Sequence, residues 1–290
     1  MPTLSPYNLD AYNDYVYNLG ENLVPNVSLR FDGVDQYLEN TIRQAQGIAN
    51  LWTITLWMKP LETPTKFDEE GRQLFRPDGK ALLHLKGATH RNEVLIWGER
   101  IENPNSEEFI IVENWDDSTQ RIRVTRFNLA QKQREWRLFS CAWNSNNLIA
   151  WSNGVELPDI SETLSGTGSF IMTDLDRGGG GRSTRLAAAY SGTATSLGEP
   201  RLVAYSGLMG PVGVWDEVLE QTEIAEVASG TFGFDLTTNS GTYSSSANLQ
   251  HWWRLGAASS GVGFDYVETG RIDVGDNATI SGPNVVADFP

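Results

Sequence analysis

The chain has 290 residues, 40% of them hydrophobic and 20% charged, the balance of an ordinary globular protein with room for one large all-β domain or two small ones. Its 37 acidic residues against 22 basic ones leave a net charge of −15, a field that repels phosphate backbones and argues against nucleic-acid binding, while favouring solubility, cations and basic partners. No stretch approaches the ~20 apolar residues of a membrane span, and a single cysteine, Cys141, excludes an intrachain disulfide.

Residues 1–22 read as a polar arm carrying Tyr7, Tyr12, Tyr15 and Tyr17, with neither helical nor strand periodicity. Tyrosine brings contact area with little entropy to lose, so such an arm suits docking on a partner; the alternative is a strap packed on its own body. Met1 to Tyr7 has no basic region and no apolar run, so no signal peptide is expected.

From residue 23 we read a single domain to residue 290. Ser28, Arg30 and Asp32 alternate with Leu29 and Phe31, the period-two pattern of a half-buried strand. Residues 41–50 suggest a short helix or turn. Trp52 to Met58 predicts a strand stopped by Lys59-Pro60. A charged, Pro/Gly-rich loop over 62–80 precedes strands at Ala81–Leu85, Val94–Trp97, Phe109–Val112 and Arg121–Phe127. Trp136 to Trp143 reads as a buried central strand holding Cys141 as a small hydrophobe.

After a turn at residues 144–147, the chain returns through Leu148 to Trp151, and Asn153-Gly154 signals a tight hairpin because both residues tolerate positive φ. Residues 173–200 predict a long loop around one apolar run, Leu186–Tyr190. Pro211 to Asp216 predicts a strand, and Leu219–Ala228 the one helix, with Leu219, Ile224, Val227 and Ala228 on one face and Gly230 at its end.

The segments Phe31-Asp32-Gly33-Val34-Asp35-Gln36-Tyr37-Leu38, Trp52 through Pro60, Trp136 through Asn153-Gly154, and Gly210 through Ala228 together resemble the laminin G-like, concanavalin A-like sandwich family. So do Leu249 through Gly256 and Asp276 to Ile280. In that family the tryptophan-rich last piece usually precedes the first, so this chain resembles a permuted member whose terminal strands close beside its first ones. The resemblance implies a concanavalin A-like (jelly-roll) antiparallel β-sandwich, all-β, with one short helix in its C-terminal half. Similar permuted modules are familiar in phage structural proteins.

The resemblance also implies a structural Ca²⁺, which takes six to eight oxygen ligands. The turn carboxylates Asp32, Asp35, Asp265 and Asp276 are the expected set; self-capping of turns is the competing explanation. The glucanase pattern of alternating Glu-x-Asp-x-x-Glu is missing, and Glu217 and Glu220 are better explained as acids at a helix start. The glycine-rich run Arg177 to Ser183 lacks the P-loop lysine and its strand-to-helix setting. His84, His90 and His251 form no triad spacing.

Of the ten tryptophans, Trp57, Trp136, Trp143 and Trp151 sit in core patterns. Trp97, Trp115 and Trp252 are the candidates for stacking on a sugar, since one of two adjacent strand residues such as Trp252-Trp253 faces outward.

These readings converge on a protein without enzymatic activity. The expected role is a virion surface component, a capsid decoration or fibre-associated protein, homo-oligomeric and bound to a capsid or tail neighbour. The alternative is a calcium-dependent lectin module that binds a surface glycan outside the cell. Neither involves nucleic acid or membrane.

Overall fold

A computed structural model describes residues 28–32, 37–40, 51–60, 80–86, 93–101, 107–116, 121–128, 135–144, 147–165, 183–190, 202–255, 273–274 and 284–286. The strands are β1 (Ser28–Asp32), β2 (Leu38–Asn40), β3 (Leu51–Pro60), β4 (Lys80–Lys86), β5 (Glu93–Ile101), β6 (Glu107–Asp116), β7 (Arg121–Asn128), β8 (Arg137–Asn144) and β9 (Leu148–Ser152). There follow β10 (Val155–Glu156), β11 (Asp159–Ser165), β12 (Ser183–Leu186), β13 (Ala188–Tyr190), β14 (Leu202–Ala204), β15 (Ser206–Trp215), β16 (Leu249–Trp253), β17 (Asp273–Val274) and β18 (Asn284–Val286). One α-helix, α1 (Gln221–Ser229), lies between β15 and β16.

Two antiparallel sheets carry the fold. The first runs β10-β9-β8-β3-β15-β1-β18, with β16 also on β15. The second runs β11-β7-β6-β5-β4-β12-β2-β17. Between them lies one apolar core. Leu29, Phe31, Ile54, Leu56, Phe139 and Val214 from the first sheet meet Leu83, Val94, Ile96, Val112 and Phe127 from the second. Each such side chain removed from water contributes about 1.5–3 kcal/mol, which makes this interface the main term holding the layers together. The chain is therefore an all-β, antiparallel sandwich, with one α-helix among the described residues.

The period-two reading of the first strand holds at Leu29 and Phe31, which are buried, and at Arg30, which is exposed, but Ser28, expected on the outer face, is buried as well. Where the sequence shows continuous apolar runs, the structure gives two different reasons. In β4, neighbours Leu82 and Leu83 are both buried because a bulge shifts the register there. In β3, β8 and β15, both faces of the strand are covered, so nearly every side chain is buried.

Strand β15 organises the first sheet. One edge pairs with β3 along most of its length. The other edge is shared: Ser206 to Met209 face β1, and Val212 to Trp215 face β16. The changeover falls at Gly210-Pro211, where the register with β3 also shifts. Proline has no N–H to give a ladder, so a register break is where a strand tolerates it. Since β16 and β1 are both antiparallel to β15, they run in the same direction, one after the other, along a single edge.

The terminal strands close beside the first ones. β18 pairs with β1, Leu29 opposite Val285, and β17 pairs with β2, Leu38 opposite Val274.

Several expectations need revision. The apolar run Leu186–Tyr190, expected inside a long loop, instead spans the end of β12 and all of β13. Ala187 turns the chain between them at φ 65°. Its N–H donates to the Leu82 carbonyl at 2.9 Å and its carbonyl accepts from Tyr205 N–H at 2.7 Å. The strand expected from Pro211 begins five residues earlier, at Ser206, and the helix begins at Gln221 rather than Leu219. Strand β3 continues through Lys59 to Pro60. Strand β11, unforeseen, pairs with β7. The tyrosine arm and the segment 41–50 lie outside the described residues.

Candidate functional site: the capped outer face of the first sheet

The outer face of the first sheet is unusual for a sandwich in what it presents. From β3, β8, β9, β15 and β16 come Trp57, Leu138, Ala142, Trp151, Trp215 and Trp252. The segment 216–248, which connects β15 to β16, folds back over this face. It buries Leu219, Ile224, Val227, Phe232, Leu236 and Tyr243 against the tryptophans. Phe232 stands edge-on to Trp57 at 5.7 Å and to Trp136 at 4.9 Å between ring centroids. Edge-to-face pairs of this kind add about 0.5–1.5 kcal/mol each beyond burial.

Two glycines let the cap sit so close. A Cβ on Gly210 would clash with the edge of the Phe232 ring at Cζ, and one on Gly213 would stand 2.9 Å from Leu236 Cδ1 and 2.8 Å from Trp215 Cζ3. The sheet backbone here takes side chains from the cap where its own side chains would otherwise be.

Polar groups pin the cap at three points. Thr53 in β3 donates through Oγ1 to the Glu217 carbonyl at 2.7 Å and accepts from Leu219 N–H at 2.9 Å. Trp215 Nε1 donates to Tyr243 Oη at 3.0 Å, and that hydroxyl donates to the Leu236 carbonyl at 2.8 Å. Burial pushes the Tyr243 phenol well above its ordinary range; the Trp215 N–H opposes the rise, and the Glu223, Glu217 and Asp235 carboxylates add to it.

Glu223 is the third point. Its Oε2 accepts from Glu220 N–H at 3.0 Å, the reach-back half of a capping box at the start of α1. Its Oε1 accepts from Ser244 N–H at 2.9 Å, Ser244 Oγ at 3.0 Å and Ser245 Oγ at 2.8 Å. Burial alone would raise this carboxyl. Four hydrogen bonds to the charged form outweigh burial and hold it below the ordinary value of 4.5.

At the far end, Asn153 (φ 50°) and Gly154 (φ 78°) make the expected β9–β10 turn, which α1 rests upon. Gln221 Nε2 donates to the Gly154 carbonyl at 3.3 Å. Residues 202–253 hold six acids, Asp216, Glu217, Glu220, Glu223, Glu226 and Asp235, and no lysine or arginine. The cap therefore presents a one-signed acidic surface.

The residues singled out from sequence fare differently. Trp252 is buried within the cap interface, and Trp253 is buried on the opposite face in the main core, stacked on His251 at 5.1 Å. The expectation that one of the pair faces outward fails because this sheet is covered on both sides, so Trp252 has no open ring face for a sugar. Trp97 and Trp115 lie in neighbouring strands of the second sheet, Trp97 opposite Ala81 and Ile111, Trp115 opposite Glu93 and Ile122.

Asp32 ends β1 opposite Ser206. Asp35, Asp265, Asp276 and the tyrosines Tyr7, Tyr12, Tyr15 and Tyr17 lie outside the described residues. Among the described residues, no three His, Cys, Asp or Glu side chains gather as metal ligands. Cys141 is fully buried, and burial pushes its thiol far above the usual range, which makes it inert.

Sequence reading missed Thr53, Tyr243 and Glu223. Only Glu223 had a local signal, its spacing three residues after Glu220 at a helix start.

No protein-family model matches the chain, and no curated protein matches it. Several solved structures do. Domain 4 of a GH43 extracellular arabinanase from Geobacillus stearothermophilus, solved with arabinotriose, is 12% identical over 65% of this chain and 69% of its own, with a TM-score of 0.36. Domains LG4-5 of the mouse laminin α1 chain are 11% identical over 70% of this chain and 45% of theirs, with a TM-score of 0.39. The enzymatically active domain of tailspike protein 2 of bacteriophage CBA120 is 10% identical over 73% of this chain and 32% of its own, with a TM-score of 0.40. The chain thus matches less than half of the laminin and tailspike chains. Likeness of this degree concerns strands and sheets, and the activities of those proteins do not come with it.

Proposed function

We propose that the chain is a non-catalytic structural and binding protein, specifically a surface component of a bacteriophage virion: a capsid decoration or fibre-associated protein. The observation that supports this most is how its reactive side chains are used. Glu223 is engaged in four hydrogen bonds that hold the cap, Cys141 is sealed in the core, and His251 is buried and stacked on Trp253 within β16. The described chemistry serves cohesion. In this reading Tyr7, Tyr12, Tyr15 and Tyr17 meet a capsid or tail neighbour, the acidic cap faces basic partner surface, and copies assemble as a homo-oligomer. The protein should copurify with intact particles; particles that lack it would overturn the reading.

The second reading is a calcium-dependent lectin module acting at an extracellular surface. It is supported by the placement of Trp97 and Trp115 in adjacent strands of the sheet that the cap does not cover. Asp32, Asp35, Asp265 and Asp276 would supply oxygens to the ion. Register favours part of this set: Val274, two residues before Asp276, stands opposite Leu38, three residues after Asp35. Light scattering with calcium and with chelator separates the readings. An oligomer in both conditions supports the virion role. A monomer that melts earlier in chelator supports the lectin, and a glycan array with Trp97→Ala and Trp115→Ala variants then tests the face.

A further inference from the structure

The last two strands close one side of the sandwich, one in each sheet. β18 is the edge strand beyond β1, and β17 is the edge strand beyond β2. They are only three and two residues long, so the ladder that holds each is short. Positions 256–272, seventeen residues, connect Leu255 to Asp273. Extended, that length reaches about 55–60 Å, roughly three times the ~19 Å radius of gyration of a 290-residue domain.

We propose that β17 and β18 are exchanged between copies, so that the pair from one chain completes the β2 and β1 edges of the next. The contacts are the same within a chain and between chains, because the same residues meet in the same register. Exchange then costs only the entropy of association, which dense placement on a particle offsets by raising the effective concentration. Without the donated pair, β1 and β2 are open edges that recruit a strand. The second copy is the occupant that fits, since its strands already match: Leu29 with Val285, Arg30 with Asn284, Leu38 with Val274. This inference rests on the homo-oligomeric part of the reading above.

The test is a mixed disulfide. Arg30 and Asn284 are directly opposite, which in an antiparallel pair puts their Cα atoms about 4.5–5.5 Å apart, inside the range a disulfide spans. One chain carries Arg30→Cys and a second carries Asn284→Cys, and the two are co-expressed and oxidised. The buried Cys141 does not compete. Exchange predicts a reductant-sensitive dimer at least tenfold stronger than in either single variant alone. An oligomer by light scattering that gives no mixed disulfide overturns the exchange and leaves the assembly reading standing. A chain that stays monomeric at every concentration overturns both.

Discussion

Glu223→Gln is the most demanding test of the cap. The residue is 6% exposed, and its carboxylate accepts four hydrogen bonds between 2.8 and 3.0 Å, from Glu220, Ser244 twice, and Ser245. An amide has one acceptor oxygen. Whichever way it turns, its NH₂ faces a donor: the Glu220 N–H on one side or the Ser244 and Ser245 donors on the other. A hydrogen bond to a charged group contributes about 1.5–3 kcal/mol, and a buried donor left unpaired costs about 1–3 kcal/mol.

Since only one side of the carboxylate is lost, Glu223→Gln should destabilise by about 2–3 kcal/mol. Glu223→Ala, which removes both sides, should cost about 3–5 kcal/mol. Urea unfolding followed by tryptophan fluorescence reads both, because Trp215 sits under the cap. The pH dependence follows from the direction of the shift. The folded carboxyl lies below its ordinary 4.5, so its stabilisation is complete above that value and is lost as pH falls through the folded pKa. The penalty of Glu223→Gln should therefore be constant from pH 5 to 8 and shrink below pH 4.5. A variant within about 0.5 kcal/mol of the parent, the range of neutral surface changes, or a penalty that does not shrink in acid, would refute the reasoning.

Gly210→Ala drives a methyl into the Phe232 ring and should cost about 1–3 kcal/mol in thermal unfolding; Gly233→Ala, whose added carbon meets nothing within 4 Å, is the control and should be close to neutral. Thr53→Val removes the hydroxyl that joins β3 to Glu217 and Leu219, and should cost about 1–3 kcal/mol by chemical denaturation. Tyr243→Phe leaves Trp215 Nε1 and the Leu236 carbonyl unpaired, with an expected loss of about 1–3 kcal/mol. The same phenol has a raised folded pKa. Its contribution is complete below the ordinary value of 10 and is lost above it, so the parent should lose stability in alkali faster than Tyr243→Phe.

Much of the sandwich was readable in advance. The alternation at Leu29 and Phe31, the apolar run of β8, the Asn153-Gly154 turn and the helix before Gly230 are all local patterns, and each is found within two residues of its expected place. Strand β11 escaped because Asp159 to Ser165 is mostly polar, and its place on β7 comes from pairing rather than from hydrophobic period. Ala187 escaped because nothing about an alanine announces a positive φ; two backbone hydrogen bonds from β4 and Tyr205 impose it.

What the sequence alone determined is the longer apolar strands, the inward face of the alternating first strand and the absence of a disulfide framework, since period, turn residues and cysteine number are properties of short stretches. Only the tertiary structure decided that the first sheet is covered twice. A cap drawn from residues 216–248 turns Trp252 from a candidate ligand platform into interior, and makes Thr53 the partner of a carbonyl 164 positions away. Such contacts depend on which surfaces meet when the chain closes, and no window of neighbouring residues contains both sides.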